Sequence, residues 1–190
     1  MSDDSPNYNE LLLAACQQDH EELLLEALNA PSGSLDLNYS DDLGFTALHW
    51  IAKSGSTSCL DIFTNLFTGK DAPANQRKYF GNAAAAANGL NANALASRTG
   101  DTPIHLAVRL SDDEDQPEDM ISYIVSGLIE LGGDVRIKNK NGQKPIDIVR
   151  QDKKNLREVL LSAQDVYALG FVASNTNGNG QIDDSTYDSD

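Results

Sequence analysis

Three segments of the chain repeat one frame. Gly44-Phe-Thr-Ala-Leu-His-Trp-Ile-Ala52 and Gly100-Asp-Thr-Pro-Ile-His-Leu-Ala-Val108 share a Gly, a spacer, a Thr, a small or ring residue, an aliphatic, a His and an apolar run. Gly142-Gln-Lys-Pro-Ile-Asp-Ile-Val149 keeps the Gly, the Pro and the aliphatics but carries Lys144 and Asp147 where the others have Thr and His. Such self-similarity marks stacked helical units, none of which buries its apolar face alone. The residue types explain the local shape. Gly permits a tight turn, Thr46 and Thr102 stand where a hydroxyl can cap a helix, and Pro103 and Pro145 suit the first helical position. Each copy therefore reads as a turn leading into a short helix.

The frame resembles the ankyrin-repeat signature, a turn followed by two antiparallel helices. Ankyrin units recur every ~33 residues, whereas Gly44 and Gly100 are 56 apart and Gly100 and Gly142 are 42 apart. The surplus falls in two stretches without apolar periodicity. One is the Ala/Asn/Gly-rich run around Asn82-Ala-Ala-Ala-Ala-Ala-Asn88, the other the acidic Ser111-Asp-Asp-Glu-Asp-Gln-Pro-Glu-Asp119. A longer resemblance, to a small yeast member of that family, runs through Gly100–Arg109, Leu128–Arg136 and Asn139–Val149 and more loosely upstream. The resemblance implies an all-α ankyrin-repeat solenoid of about four helix-turn-helix units with capping ends. It also implies that His49 and His105 bond backbone groups across neighbouring turns, and that Asp147 suffices in a last unit.

The organisation follows from period and punctuation. Residues 1–8 read as a disordered lead, 9–169 as the repeat domain, and 170–190 as an acidic disordered tail. The units span about 9–39, 40–67, 97–135 and 136–169, with a low-complexity insertion at 68–96. Leucines at helical spacing between Asn9 and Leu28 give a first helix pair that turns at Gln17–His20. Further helices are predicted over Ala47–Ser54, Ser58–Phe67, Pro103–Leu110, Met120–Leu131, Pro145–Arg150 and about Asn155–Gln164, the last with a short extension to Leu169.

Charge is polarised. The net charge is −15, and Met1–Ala52 holds ten acids and no Lys or Arg. Arg136–Arg157 holds eight Lys or Arg against two acids. Such a field steers a basic partner to the acidic end, or simply keeps the chain dispersed. Cys16 and Cys59 lie in apolar helical stretches, as reduced buried thiols do. No apolar run approaches the ~20 residues of a membrane span, and the start lacks the pattern of a secretory signal. A monomer of the cytoplasm or nucleus, without metal or cofactor, is expected.

Catalytic signals are weak. There is no phosphate-binding Gly loop, nucleophile elbow or His-Glu-x-x-His, and Cys16 with His20 lacks an orienting third group. Asn175–Asp183 echoes a calcium loop, but its twelfth position is Thr186 and not a bidentate acid. The basic fourth unit lacks aromatic stacking residues, so neither nucleic acid nor membrane is an expected partner. Ser111 and Ser185, each three residues before an acid, have the pattern of acid-directed kinase targets.

The expected function is thus a non-enzymatic protein-interaction scaffold that uses its concave side. Candidate contacts are Asp41, Asp42, Phe45, Trp50 and Lys53 on the second unit and Arg98, Asp101 and Arg109 on the third. Trp50 also suits burial between units. The partner is a protein: either a basic client, such as a ribosomal protein or histone, escorted by the acidic units, or an assembly docked through Lys138, Lys140 and Lys144. The escort idea is an analogy within the family.

Overall fold

The computed structural model describes residues 7–31, 33–68 and 89–175. Among them are eight helices and no strand: α1 (Tyr8–Gln18), α2 (Glu21–Leu28), α3 (Ala47–Ser54), α4 (Thr57–Thr68), α5 (Pro103–Leu110), α6 (Glu118–Glu130), α7 (Pro145–Ile148) and α8 (Lys154–Asn175). They pair as α1/α2, α3/α4, α5/α6 and α7/α8, and the pairs stack. First helices touch first helices along one row (α1, α3, α5, α7), and second helices touch along another (α2, α4, α6, α8). This is an ankyrin-repeat solenoid.

The core lies between the rows. Leu12, Leu48, Ile51, Leu60, Phe63, Ile104, Ile121, Ile124, Leu128 and Leu156 are fully buried there. Small residues set the spacing: Ala15, Ala47, Ala52 and Ala107 are also fully buried, and their missing bulk lets the short first helices approach. Gly127 serves α4 and α6 in the same way, since a Cβ on it would stand 2.8 Å from Cδ2 of Leu60.

Units are also tied through polar groups at helix starts. Asp19, in the α1–α2 turn, accepts the Cys59 N–H at 2.9 Å and the Ser58 N–H at 3.3 Å, so unit one caps α4 of unit two. Glu118 at the head of α6 accepts the Leu156 N–H of α8 at 3.2 Å. Both carboxylates lie where orphan donors and the positive helix end meet. Ser56 adds a bond from its hydroxyl to the Cys16 carbonyl at 2.6 Å.

The helices differ from the sequence reading by two or more residues at three ends. Helix α6 begins at Glu118, ahead of Met120, because Pro117 ends the acidic loop and two acids occupy the first turn, where the dipole favours them. Helix α7 stops at Ile148, since Val149 is already extended at φ −71°, ψ 131°. Helix α8 continues to Asn175, beyond the expected Leu169.

Residues 89–96, expected inside the insertion, pack into the array. Ala92 and Ala96 are buried there, and asparagines stitch the segment to its neighbours. Asn9 Oδ1 accepts the Asp36 N–H at 2.8 Å, Asn38 Oδ1 the Asn91 N–H at 2.7 Å, and Asn93 Oδ1 the Asp134 N–H at 2.7 Å. Asp36, Asn91 and Asp134 thus each give their N–H to an asparagine: Asn9 within unit one, then Asn38 and Asn93 from the turn before. The rest of the insertion, the lead through residue 6, and the tail from residue 176 with its calcium-like loop and Ser185 lie outside the described residues.

Candidate functional site

Units two, three and four each offer a turn that leads into the first helix, and these turns line up. In unit two Asp41 closes the turn: its Oδ1 accepts the N–H groups of Leu43 and Phe45, both at 2.9 Å. Asn139 does the same in unit four, accepting from Asn141 and Gln143 at 3.0 and 3.1 Å. The backbone bond closing the turn runs from Asp41 to Phe45 and from Asn139 to Gln143, but in unit three from Ala96 to Asp101. Unit three therefore carries one extra turn residue and no Asx side chain; Thr99 Oγ1 accepts the Asp101 N–H instead, at 3.2 Å. Adjacent turns join through Ser97 N–H to Leu43 O at 2.8 Å and Lys140 N–H to Thr99 O at 2.9 Å.

The histidines hold this register. His49 Nδ1 accepts the Thr46 backbone N–H at 3.1 Å, and its Nε2 stands 3.1 Å from the Asp101 carbonyl of unit three. His105 repeats both contacts, at 3.2 Å with Thr102 and 2.9 Å with the Gln143 carbonyl of unit four. A neutral ring with its proton on Nε2 satisfies all of these partners. Burial pushes both imidazoles below their usual pKa, against the opposing pull of the carbonyls they bond. Neither ring is available for other chemistry.

The expected contact residues separate into two groups. Phe45, Lys53 and Arg98 meet around one cleft of about 360 Å³, together with Leu43, Ala96 and Thr99. Trp50 stands beside them, half-buried, edge-on to Phe45 with ring centroids 5.5 Å apart. The Lys53 ammonium lies 4.6 Å from the Trp50 ring and 5.5 Å from Phe45, a distance at which ring faces attract a cation. Asp42 is exposed at the turn.

Three residues have internal work. Asp41 holds its turn and accepts the Trp50 indole N–H at 3.1 Å, which fixes the ring. Asp101 is not a surface contact: it is 1% exposed. Its carboxylate is bonded by Asn139 at 2.8 Å and Arg109 at 3.2 Å. Burial works against ionisation of Asp101, but those bonds outweigh it and hold the carboxyl below its usual pKa. Arg109 keeps an exposed edge, yet its charge is spent on Asp101.

Leu43 was missing from the expected contacts. It is 43% exposed at the tip of the unit-two turn, and an apolar residue just before a turn glycine is the signal that marks it. Other readings are corrected by burial or bonding. Ser111 is buried, and its hydroxyl donates to the Val108 carbonyl at 2.6 Å, so it is no kinase target in the folded chain. Cys16 and Cys59 are free and buried, and burial pushes the Cys16 thiol up, away from the reactive thiolate. His20 caps α2, accepting the Leu23 N–H at 3.3 Å. Among the described residues no three His, Cys, Asp or Glu are grouped to hold a metal, and no helix is long and apolar enough to cross a membrane.

Paired helices in two rows, glycine turns and histidines that bridge successive units define the ankyrin-repeat fold. Arrays of this class are interaction scaffolds, typically without enzymatic activity. This chain is 29% identical over 187 residues to the ankyrin repeat-containing protein YGL242C of Saccharomyces cerevisiae, a match covering 95% of this chain and 87% of the yeast protein. Among solved structures it resembles EF0377, an ankyrin repeat protein, with a TM-score of 0.55 and 22% identity over 79% of this chain. The match spans 62% of that protein's length, and at this identity it speaks for the fold alone. No family model matches the chain.

Proposed function

We propose that this protein is a non-enzymatic scaffold that holds a protein partner on the face formed by the turns and first helices of units two and three. The observation that supports it is the meeting of Leu43, Phe45, Lys53 and Arg98 at one cleft, with Trp50 packed beside it against Phe45 and Lys53. Aromatic rings and arginine dominate the energetics of protein interfaces. Here Trp50 is already fixed by Asp41, so little entropy is lost when a partner arrives. The array presents this surface ready-made on rigid helices.

An escort role for a basic client draws on a different surface. Glu22, Glu26 and Asp36 of unit one are exposed. The alternative, docking through the basic fourth unit, has less to draw on. Lys140 donates to the Ser97 carbonyl, Arg150 pairs with Asp152, and Arg157 donates to the Ile146 and Val149 carbonyls.

Affinity capture from native extract tests the scaffold. A protein recovered on the wild type and lost on a Leu43→Ser/Phe45→Ser variant of unchanged helicity supports the concave face; equal recovery on both sinks it. Glu22→Lys with Glu26→Lys then asks whether a basic client depends on unit one.

A further inference from the structure

We infer that the cleft between the turns of units two and three accepts a short acidic segment of a partner protein, a carboxylate next to a leucine or aromatic side chain. This rests on the reading of the concave face as the docking surface and adds the chemistry of what docks there. It runs opposite in sign to the chain as a whole, which carries a net charge of −15.

Three arginines are spent on carboxylates. Arg109 pairs with Asp101, Arg136 with Asp134 and Arg150 with Asp152. Arg98 has no carboxylate partner among the described residues, and neither has Lys53, whose ammonium is held over two ring faces instead. Both line the same cleft. The acids closest in sequence do not answer them: Asp41 is committed to its own turn and to Trp50, Asp101 is buried on Asn139 and Arg109, and the exposed Asp42 forms no ion pair with either cation among the described residues. Two unpaired cations at one opening are a carboxylate receptor, and arginine is suited to bind that group with two parallel bonds.

Position and size agree with charge. Arg98 belongs to the turn that is one residue longer than its neighbours, closing from Ala96 to Asp101 where the others span one residue less. The same cleft has an apolar lining in the exposed Leu43 and in Phe45. The cleft measures about 360 Å³, near the lower end of the ~300–1,000 Å³ of ligand pockets. That is room for an apolar side chain and a neighbouring carboxylate. The chain's long-range field does not forbid an acidic guest, because at physiological salt the Debye length is ~8 Å and contact charges govern.

The test is selection of a phage-displayed random heptapeptide library on the full-length protein. The best peptides are then titrated while the Trp50 indole resonance is followed. Enrichment of Asp or Glu beside Leu, Phe or Trp is expected, with a shift of the Trp50 signal. Affinity should fall at least tenfold in Lys53→Ala/Arg98→Ala, whose exposed side chains leave the melting temperature unchanged. Enrichment of Lys and Arg, still moving Trp50, overturns the acidic preference and leaves the concave docking surface standing. Binders that leave Trp50 unmoved, or no enrichment at all, overturn both. A tenfold gain in affinity on changing Asp183, Asp184, Asp188 and Asp190 to Asn in the full chain assigns the cleft to the chain's own acidic end and overturns the partner assignment.

Discussion

Unit three and unit four start their first helices alike, with a proline in the first turn, and differ in what the third helical residue does. In α5 this residue is His105, which accepts from Thr102 on one side and reaches the Gln143 carbonyl of the next unit on the other. In α7 it is Asp147, which accepts the Lys144 N–H at 2.8 Å and stays exposed. The helices differ in parallel: α5 runs eight residues, α7 only four. Capping a helix start takes one acceptor, and an aspartate supplies it. Joining two units takes an acceptor and a donor on opposite edges of one rigid ring. The histidine marks a position that has a successor.

The sharpest way to break this comparison is to remove both side chains. His49→Ala or His105→Ala leaves a buried threonine N–H without its acceptor and empties a ring-sized space. The cost should be ~3–4 kcal/mol. Asp147→Ala loses a cap alone, worth ~1 kcal/mol. Urea unfolding read by circular dichroism checks both, and equal costs refute a joining role for the ring. The same rings give a pH signature. Burial lowers their folded pKa, so below the unfolded value of ~6.5 the unfolded chain binds protons that the folded chain refuses. The stability tied to these rings is whole above that pH and declines as pH falls through the folded values. Replacing both rings should flatten the melting temperature between pH 7.5 and 5.

A second contrast separates the turn glycines. Gly44, Gly100 and Gly142 all have positive φ, at 76°, 67° and 75°. A Cβ on Gly44 would stand 2.7 Å from the Ser97 backbone nitrogen, and one on Gly100 3.0 Å from that of Lys140. Nothing lies within 4 Å at Gly142. Gly142→Ala should therefore cost only the left-handed conformation, ~1–2 kcal/mol, while Gly44→Ala adds an overpacking penalty to reach ~3 kcal/mol. Thermal midpoints of the single variants measure this, and equal shifts would mean that turn-to-turn contact contributes nothing.

What the sequence discloses follows the same divide between local and relayed interactions. Helices α3 and α5 have the ends that their residues announce, because Thr, Pro and Gly act on the backbone beside them. The place of Asp101 could not be read, since its burial depends on Asn139, 38 residues away. Residues 89–96 look like the low-complexity run before them. Asn91 and Asn93 become legible only against Asp36 and Asn38, the equivalent pair one unit earlier. Of the candidate site, the aromatic and cationic members were legible from type and position on the frame. Leu43 was passed over, because the frame leaves its turn tip unspecified and only its place before Gly44 signals it; the extra residue that places Arg98 was not legible.

The smallest expected effect is the most specific to the comparison. Asp147→His restores the frame in the last unit, so a residue-by-residue view of the repeat expects a gain. The structure gives no such reason. The ring nitrogen would replace the carboxylate as acceptor for the Lys144 N–H. Its other nitrogen would find no following turn among the described residues, where α8 leaves directly from the Arg150–Lys153 loop. The substitution should change unfolding free energy by less than ~0.5 kcal/mol. A stabilisation near that of the inner histidines would mean that the ring acts within its own unit. The two kinds of unit would then differ in composition and not in having a neighbour to hold.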